Sequence, residues 1–409
     1  NKACQVAAMF AKEKFLMFCH FKNSFFFYCG KNQFVLYQKS GKIIFLSLYG
    51  IIIKNKMGKE TAGMEKVAFF DTKPYDKLWF ERVEHPGLEF KYYENKLNED
   101  TAGLVRGCTG AVAFVNDTID ARAIEQLCEN GVQVLAMRCA GYNNIDFKAA
   151  YKKMNILRVP KYSPYAVAEH TMALILTLNR KIHRAYNRTR DYNFSLNGLT
   201  GFDLYGKTAG VIGTGKIGQA FIDICKGFGM QVIAYDPYPV KDADICYVEL
   251  DELFRRSDVI SLHCPLTEST HYIINSESLQ KMKNGVFLVN TSRGSLIESE
   301  ALLKALKEGK IGAAGLDVYE EESNLFFEDF SGSVIQDDVL SLLVSMPNVV
   351  VTSHQAFLTN EALKNIAETT ISNLLAFYKG DPLENEICYH CRTGGVSSDC
   401  PRREKGRCF

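Results

Sequence analysis

The sequence predicts an α/β protein with two parallel-sheet domains, the second of which is inserted into the first. From about residue 66, short apolar segments alternate with helical segments, a pattern typical of parallel α/β architecture. A glycine-rich turn follows one of the apolar segments, at a point where a strand would lead into a helix. The last predicted helix, over residues 361–378, follows the final strand and is expected to return to the first domain. These three observations favour two doubly wound sheets.

The first domain begins with predicted strands over residues 67–70, 90–93, 111–114 and 132–136. Ser163 and Pro164 then begin a long helix, because serine is favoured at an N-cap and proline is tolerated in the first turn. The buried face of this helix is predicted from apolar residues at helical spacing, namely Val167, Leu174, Ile175, Leu178 and Ile182. Its basic end, residues 180–190, is interpreted as a solvated or subunit-facing surface rather than a phosphate site.

The second domain carries six predicted strands, which are enough for a complete doubly wound sheet. They cover residues 209–212, 232–235, 259–262, 286–290, 313–316 and 349–352. Helices are expected between most of them, for example over residues 216–226 and 300–307.

Composition excludes several classes of protein. The chain has 409 residues, of which 47% are hydrophobic, and this suffices for two ordinary cores. A net charge of +1 provides no basic field for nucleic acid. The longest apolar run, residues 43–53, is shorter than the roughly 20 residues of a membrane-spanning helix. Most of the 13 cysteines stand singly in apolar segments, which favours a reduced, cytoplasmic protein without a membrane partner.

Both ends of the chain differ from the rest. Residues 1–56 are crowded with Phe, Tyr, Lys, Asn and Ile without a clear period, and we expect a non-native or disordered extension there. Residues 388–409 form a basic tail with four cysteines, Cys388, Cys391, Cys400 and Cys408. The first two have the C-x-x-C spacing of zinc ligands, but the later spacings match no standard finger. We therefore favour an unordered or redox-active tail and assign no metal.

A nucleotide site is predicted at the glycine-rich turn that follows the strand over 209–212. Gly213 would allow the tight turn, Gly215 would let a pyrophosphate approach the backbone, and Gly218 would let helix and strand pack closely. Asp236 ends the next strand, where a carboxylate accepts hydrogen bonds from the adenine ribose and repels a 2′-phosphate. A turn acid before Pro237 is the alternative for Asp236. The context favours NAD over NADP.

Three charged residues follow successive strands of the same domain. An arginine at Arg293 could bind a carboxylate and polarise a neighbouring carbonyl, and Glu322 could hold the imidazole of His354 in one tautomer and protonated. Singly, each has a structural alternative: a loop bridge for Arg293, a solvated acidic run for Glu322 and a helix cap for His354. Because the carboxyl ends of parallel strands share one crevice, the three together predict a dehydrogenase rather than a passive binding module.

Four motifs carry a resemblance to a known family over about residues 66–391. They occupy residues 213–218 (GTGKIG), 290–294 (NTSRG), 315–320 (GLDVYE) and 353–357 (SHQAF). The chain resembles the D-isomer-specific 2-hydroxyacid dehydrogenases and, through residues 325–329 and 334–338, their fermentative D-lactate dehydrogenase branch. The resemblance implies a Rossmann cofactor domain, residues 161–354, inserted into a flavodoxin-like substrate domain formed by residues 66–160 and 355–387. It also implies a homodimer that contacts through the long-helix region.

The same resemblance implies roles for individual residues. Arg293 would anchor the substrate carboxylate and polarise the keto oxygen, His354 would donate the proton, and Glu322, rather than Glu320, would pair with His354. Substrate contacts would come from Ala140, Gly141, Tyr162 and Phe357. The remaining cofactor contacts would be Lys216, Ile217, Cys264, Pro265, Thr270, Thr291, Ser292 and Asp317. Asp317 would accept a hydrogen bond from the nicotinamide carboxamide, whereas His170 is expected to serve packing or a subunit contact.

Three functions follow from these expectations. The first is NAD-dependent reduction of pyruvate to D-lactate, a small 2-keto acid being the substrate and NAD the cofactor. The second is a sister enzyme for bulkier 2-keto acids, glyoxylate or hydroxypyruvate. The third is a dinucleotide-sensing protein that recruits partners, as corepressors of this fold do.

Overall fold

The computed structural model describes residues 64–241, 244–321, 325–390 and 406–408, together with five backbone strands before residue 48. Glu322, Cys391 and Cys400 lie outside the described residues. The chain divides into two compact units, Asn1–Met64 and Glu65–Phe409. In the first unit an antiparallel sheet has the order β1-β2-β3-β4-β5, and its strands are β1 Val6–Ala11, β2 Lys14–Phe21, β3 Ser24–Cys29, β4 Phe34–Lys39 and β5 Lys42–Ser47. Strands thus occupy a region where we expected a non-native or disordered extension, in keeping with its content of aromatic and β-branched residues.

A mixed sheet of six strands begins the second unit. Its strands are β6 Glu65–Phe69, β7 Leu88–Tyr92, β8 Gly110–Ala113, β9 Val134–Met137, β10 Asn155–Leu157 and β18 Glu386–Ile387. The order is β18-β10-β9-β8-β6-β7. Strands β6 to β10 are parallel in the order of flavodoxin-like sheets, and β18 pairs antiparallel at the edge. Strands β10 and β18 had not been predicted, because they are too short to show a period.

A second sheet of seven parallel strands follows. Its strands are β11 Thr208–Ile212, β12 Gln231–Tyr235, β13 Cys246–Tyr247, β14 Val259–Leu262, β15 Val286–Asn290, β16 Ile311–Leu316 and β17 Val349–Val351. Their order is β13-β12-β11-β14-β15-β16-β17, the Rossmann order with one further strand. The predicted fold class of two parallel-sheet α/β domains is confirmed, although the short strand β13 had not been predicted.

Helices cover both sheets. In chain order those of the described residues are α1 Pro74–Arg82, α2 Ala121–Glu129, α3 Phe147–Ala150, α4 Pro164–Arg180, α5 Ile182–Arg190, α6 Lys216–Gly227, α7 Leu250–Arg256, α8 Ser276–Lys281, α9 Ser299–Lys307, α10 Asp338–Ser345 and α11 Asn360–Lys379. Helix α11 packs on the six-stranded sheet, as expected. Ile366 belongs to the apolar cluster of Phe70 and Leu135, and Leu374 belongs to that of Phe69 and Val112. The described residues form no helix with the length and apolar character that crossing a membrane requires.

The predicted long helix is in fact two helices, α4 and α5. Lys181, between them, adopts a left-handed conformation with φ of +50°. The break is fixed by the returning chain, because the Asn179 side chain donates to the Phe202 carbonyl and accepts from the Phe202 amide. Beyond the break Ile182 is 55% exposed, contrary to its predicted place on the buried face. The basic residues of α5 lie on a helix without buried positions, as expected of a solvated surface.

Candidate active site

A cleft of about 370 Å³ lies among residues that follow the carboxyl ends of strands in both sheets. Most of the residues predicted for substrate or cofactor line it, namely Ala140, Gly141, Tyr162, Ile217, Cys264, Pro265, Thr291, Ser292, Arg293, Asp317, His354 and Phe357. An inner pocket of about 30 Å³ adjoins it and is lined by both Arg293 and His354. The structure therefore brings the predicted cation and the predicted acid/base group to one place.

Arg293 is held by the turn that follows β15. The buried Asn290 side chain accepts from the Ser292 amide at 3.0 Å and donates to the Arg293 carbonyl at 2.8 Å. The Ser292 hydroxyl donates to the Leu262 carbonyl at 2.8 Å and ties the turn to β14. A Cβ atom on Gly141 would lie 2.9 Å from Nη2 of Arg293. The guanidinium thus reaches the predicted substrate loop and approaches its backbone closely at Gly141.

His354 lies on a tight turn after β17 and has a φ of +51°. Its amide donates to the Asp317 carbonyl at 2.7 Å. The Asp317 side chain, which is fully buried, accepts from the Thr352 hydroxyl at 2.6 Å and from the amides of Gln355 and Ala356 at 2.9 Å each. Because both carboxylate oxygens are engaged in this way, the predicted bond to the nicotinamide carboxamide would have to share them. Asp317 is chiefly the anchor of the His354 turn.

His170 supports the same turn, a contact that had not been predicted. Its Nε2 lies 3.1 Å from the Thr352 hydroxyl and 3.4 Å from Oδ1 of Asp317. Burial would raise the pKa of the Asp317 carboxyl, but the bonds from His170, Thr352 and Ala356 outweigh it and hold the pKa below its usual range. His170 was expected to serve packing or a subunit contact, and the structure adds a polar contact that joins α4 to the turn around Asp317. Its signal in the sequence, a polar residue on α4, gave no indication of a partner 182 positions away.

Aromatic side chains form the inner pocket. The ring of Phe357 lies 6.3 Å from that of Tyr162 and 6.2 Å from that of Phe114. Burial raises the pKa of Tyr162 to about 12, partly offset by the Arg293 cation. Phe114 and Arg138 also line the pocket but were not predicted, although Phe114 directly follows β8 and Arg138 directly follows β9. The strand-end argument that found Arg293 could have found them.

The glycine-rich turn has the geometry expected of a dinucleotide site. Gly213 has a φ of +95°, and a Cβ there would lie 2.6 Å from the His263 carbonyl carbon. A Cβ on Gly218 would lie 2.1 Å from the Gly213 oxygen, so helix and strand pack as predicted. Asp236 accepts from the Thr214 amide at 2.7 Å and from the Thr214 hydroxyl at 3.0 Å. The residues present therefore fit a dinucleotide with an unphosphorylated adenine ribose.

Several predicted positions lie away from the cleft wall. Gly215 and Lys216 begin α6 next to Ile217, and open space surrounds a Cβ built on Gly215. Thr270 does not line the cleft, because its hydroxyl donates to the Pro265 carbonyl at 2.7 Å and closes a surface turn. Among the tail cysteines that the structure describes, Cys388 and Cys408 are both buried.

Comparison with known proteins identifies the family. A family model described as "D-isomer specific 2-hydroxyacid dehydrogenase, NAD binding domain" matches residues 172–356. The D-lactate dehydrogenase of Escherichia coli K12 is 53% identical over 327 residues, which are 79% of this chain and 99% of that protein. A solved apo-structure of D-lactate dehydrogenase from Escherichia coli has a TM-score of 0.73 at 50% identity and covers 79% of this chain and 99% of its own.

A second solved structure, titled as the pyruvate reductase of Chlamydomonas reinhardtii, has a TM-score of 0.74 at 46% identity. It covers 79% of this chain and 98% of its own. The chain belongs to the D-isomer-specific 2-hydroxyacid dehydrogenases and is an NAD-dependent oxidoreductase.

Proposed function

We propose that the protein reduces pyruvate to D-lactate, with Arg293 as the substrate anchor, His354 as the proton donor and Glu322 as the partner of His354. The observation that carries this proposal is the inner pocket of about 30 Å³, which Arg293 and His354 line together with Tyr162 and Phe357. A pocket of this size beside a guanidinium suits a carboxylate with a short apolar substituent. The D configuration and the role of Glu322 rest on family resemblance.

When bound, the nicotinamide supplies the hydride that reduces C2 of the keto acid. Arg293 binds the carboxylate and stabilises negative charge on the keto oxygen as the carbonyl bond breaks. His354 gives a proton to that oxygen, so that one hydride and one proton convert the ketone to an alcohol. Gly141 lies close to the guanidinium, and backbone amides of its loop would bind the second carboxylate oxygen, as family resemblance implies. The rings of Tyr162 and Phe357 exclude water from the reacting carbon.

The test is loss of NADH absorbance on addition of pyruvate, with chiral analysis of the lactate formed. We expect Arg293→Gln to lower kcat/KM by roughly 100- to 1000-fold, the usual effect of removing one charge-stabilising donor, while NADH still binds. Arg122→Gln is the matched control, because Arg122 is an exposed arginine paired only with Glu99 within the described residues. Near-native turnover in Arg293→Gln would reject the assigned role.

The alternative substrates are separated by the same assay. Pyruvate, 2-ketoisocaproate and hydroxypyruvate should be compared by kcat/KM, since pocket volume discriminates by about 1–3 kcal/mol per methylene. Preference for 2-ketoisocaproate would move the assignment to the enzymes for bulkier keto acids. Preference for hydroxypyruvate would assign the protein to the enzymes that act on hydroxylated keto acids.

We also propose a homodimer in a reducing compartment, the cytoplasm. Tyr192, Phe194 and Leu196 follow α5 and are 85%, 71% and 80% exposed, an apolar surface that suits a second copy of the chain. Light scattering after size exclusion should give twice the chain mass, and Phe194→Asp should halve it.

We also propose the domain limits that the sequence predicts. The substrate domain comprises residues 66–160 and 355–387, and the cofactor domain comprises residues 161–354. What supports these limits is that β6 to β10 pair in one sheet and β11 to β17 in the other.

A further inference from the structure

The segment Leu325–Glu328 lies between β16 and α10 of the cofactor domain and packs against the apolar clusters of both domains. Phe326 is buried in the apolar cluster of the cofactor domain, with Leu340 and Leu343. Phe327, the next residue, packs against that cluster and also against the cluster of the substrate domain. Its ring lies 5.4 Å from that of Phe114 and 6.0 Å from that of His354. One side chain therefore contacts both the pocket wall and the proposed proton donor.

Polar contacts also join the segment Leu325–Glu328 to the substrate domain. The Asn116 side chain donates to the Phe326 carbonyl at 3.4 Å. The carboxylate of Glu328 lies 3.3 Å from Nζ of Lys96 and 3.8 Å from Nζ of Lys73. Both lysines belong to the substrate domain, so each ion pair joins one domain to the other. We call Glu328, Lys73 and Lys96 the ionic clasp.

The ionic clasp continues into the floor of the inner pocket. Lys73 also binds Asp71 at 2.9 Å. The Asp71 carbonyl accepts from Nη2 of the buried Arg138 at 2.7 Å, and Arg138 precedes the substrate loop that contains Gly141. Glu328 is thus linked through two charged residues to a guanidinium on the pocket wall. A change in the position of Glu328 alters the electrostatic surroundings of that wall.

We propose that the ionic clasp and Phe327 hold the cleft in its closed arrangement, and that Glu328 is a positioning residue for the reduction of the keto acid. The inference deepens the proposed function and rests on it. The Glu328 side chain is 41% exposed, so each ion pair is weak by itself and can open and reform as substrate enters. If only closed molecules bind the keto acid well, weakening the clasp raises KM by the factor by which the closed fraction falls.

The experiment is a charge swap. Glu328→Lys loses both ion pairs of the ionic clasp, and Lys96→Glu loses the closer one. Each variant should raise KM for pyruvate about fivefold, with kcat little changed. The double variant restores opposite charges at the closer pair, while Lys73 keeps Asp71 as its nearer partner, and should return KM to within about twofold of wild type. Lys281→Glu with Asp251→Lys is the matched control, since that pair at 3.0 Å has similar exposure but lies within the cofactor domain.

Amide hydrogen exchange of residues 325–329, in the presence of NADH, measures the clasp without turnover. Exchange should be about fivefold faster in each single variant and normal in the double variant. Unchanged KM and exchange in the single variants, or equal impairment of single and double variants, overturns the proposal. If the wild type reduces no keto acid but the exchange pattern holds, the proposed function fails while the clasp between the domains stands.

Discussion

Lowering the pH from 7 to 5 should destabilise the folded protein through a single histidine beside the cofactor turn, His263. Its Nε2 pairs with the Ser261 hydroxyl at 2.9 Å, and its ring lies 5.0 Å from that of Phe221. Nδ1 is buried without a hydrogen-bond partner among the described residues. Burial lowers the pKa of His263 to about 3. The folded state therefore holds this imidazole neutral, whereas the unfolded chain protonates it near its ordinary value of about 6.5.

The sign and size follow from linkage. Between pH 6.5 and 3 the unfolded chain binds a proton that the folded chain does not, so the free energy of unfolding falls as the pH falls. At pH 5 the loss from this group is about 2 kcal/mol relative to pH 7. Because the folded pKa lies well below 5, this figure depends on the unfolded value and hardly on the folded one.

The assay is urea unfolding followed by circular dichroism at pH 7 and pH 5, without cofactor. His263→Gln should lose about 2 kcal/mol less than wild type between the two pH values, whatever its stability at pH 7. His271→Gln, which removes an exposed histidine, is the control. Equal pH dependence of wild type and His263→Gln would refute the reasoning, because the interior would then accept the proton.

Three further predictions concern the cleft. Gly218→Ala should weaken NADH binding at least about tenfold in a fluorescence titration, because the new Cβ would lie 2.1 Å from the Gly213 oxygen. Gly227→Ala is the control and should leave NADH binding unchanged, because open space surrounds its Cβ. Phe357→Ala should shift relative kcat/KM from pyruvate towards 2-ketoisocaproate by about 10- to 200-fold, because it enlarges the inner pocket. Asp317→Asn should lower the free energy of unfolding by about 1–3 kcal/mol and reduce turnover, because one of the two buried carboxylate oxygens becomes an NH2 group that cannot accept from the hydroxyl or amide it faces.

Sequence reasoning located most of the cleft because parallel strands end at a common edge. Arg293 and His354 are 61 positions apart, yet the pattern of apolar strands alone placed them together. In the structure both residues line the inner pocket. The glycine turn was equally readable, since its spacing reflects close contacts that only glycine permits. These are features that local sequence determines.

The contacts missed by sequence reasoning depend on packing between distant segments. Nothing around His170 indicates that helix α4 passes beside Asp317, and nothing around Phe327 indicates a contact with Phe114. The break between α4 and α5 is set by Asn179 binding the returning chain at Phe202, not by a proline or glycine. Strands of two or three residues, such as Cys246–Tyr247, carry no periodic signal and are defined by their neighbours.

The backbone of His354 explains why Asp317 is buried with so many partners. A left-handed conformation costs a residue other than glycine about 1–2 kcal/mol, and histidine bears it better than most because it is among the types enriched there. The φ of +51° turns the chain so that the amides of Gln355 and Ala356 both reach the Asp317 carboxylate. Hydrogen bonds to a charged acceptor contribute about 1.5–3 kcal/mol each, which exceeds the cost of the turn. The imidazole is therefore directed into the cleft by a carboxylate that its own turn encloses, and any substitution that relaxes this turn should impair catalysis even if it leaves every cleft side chain in place.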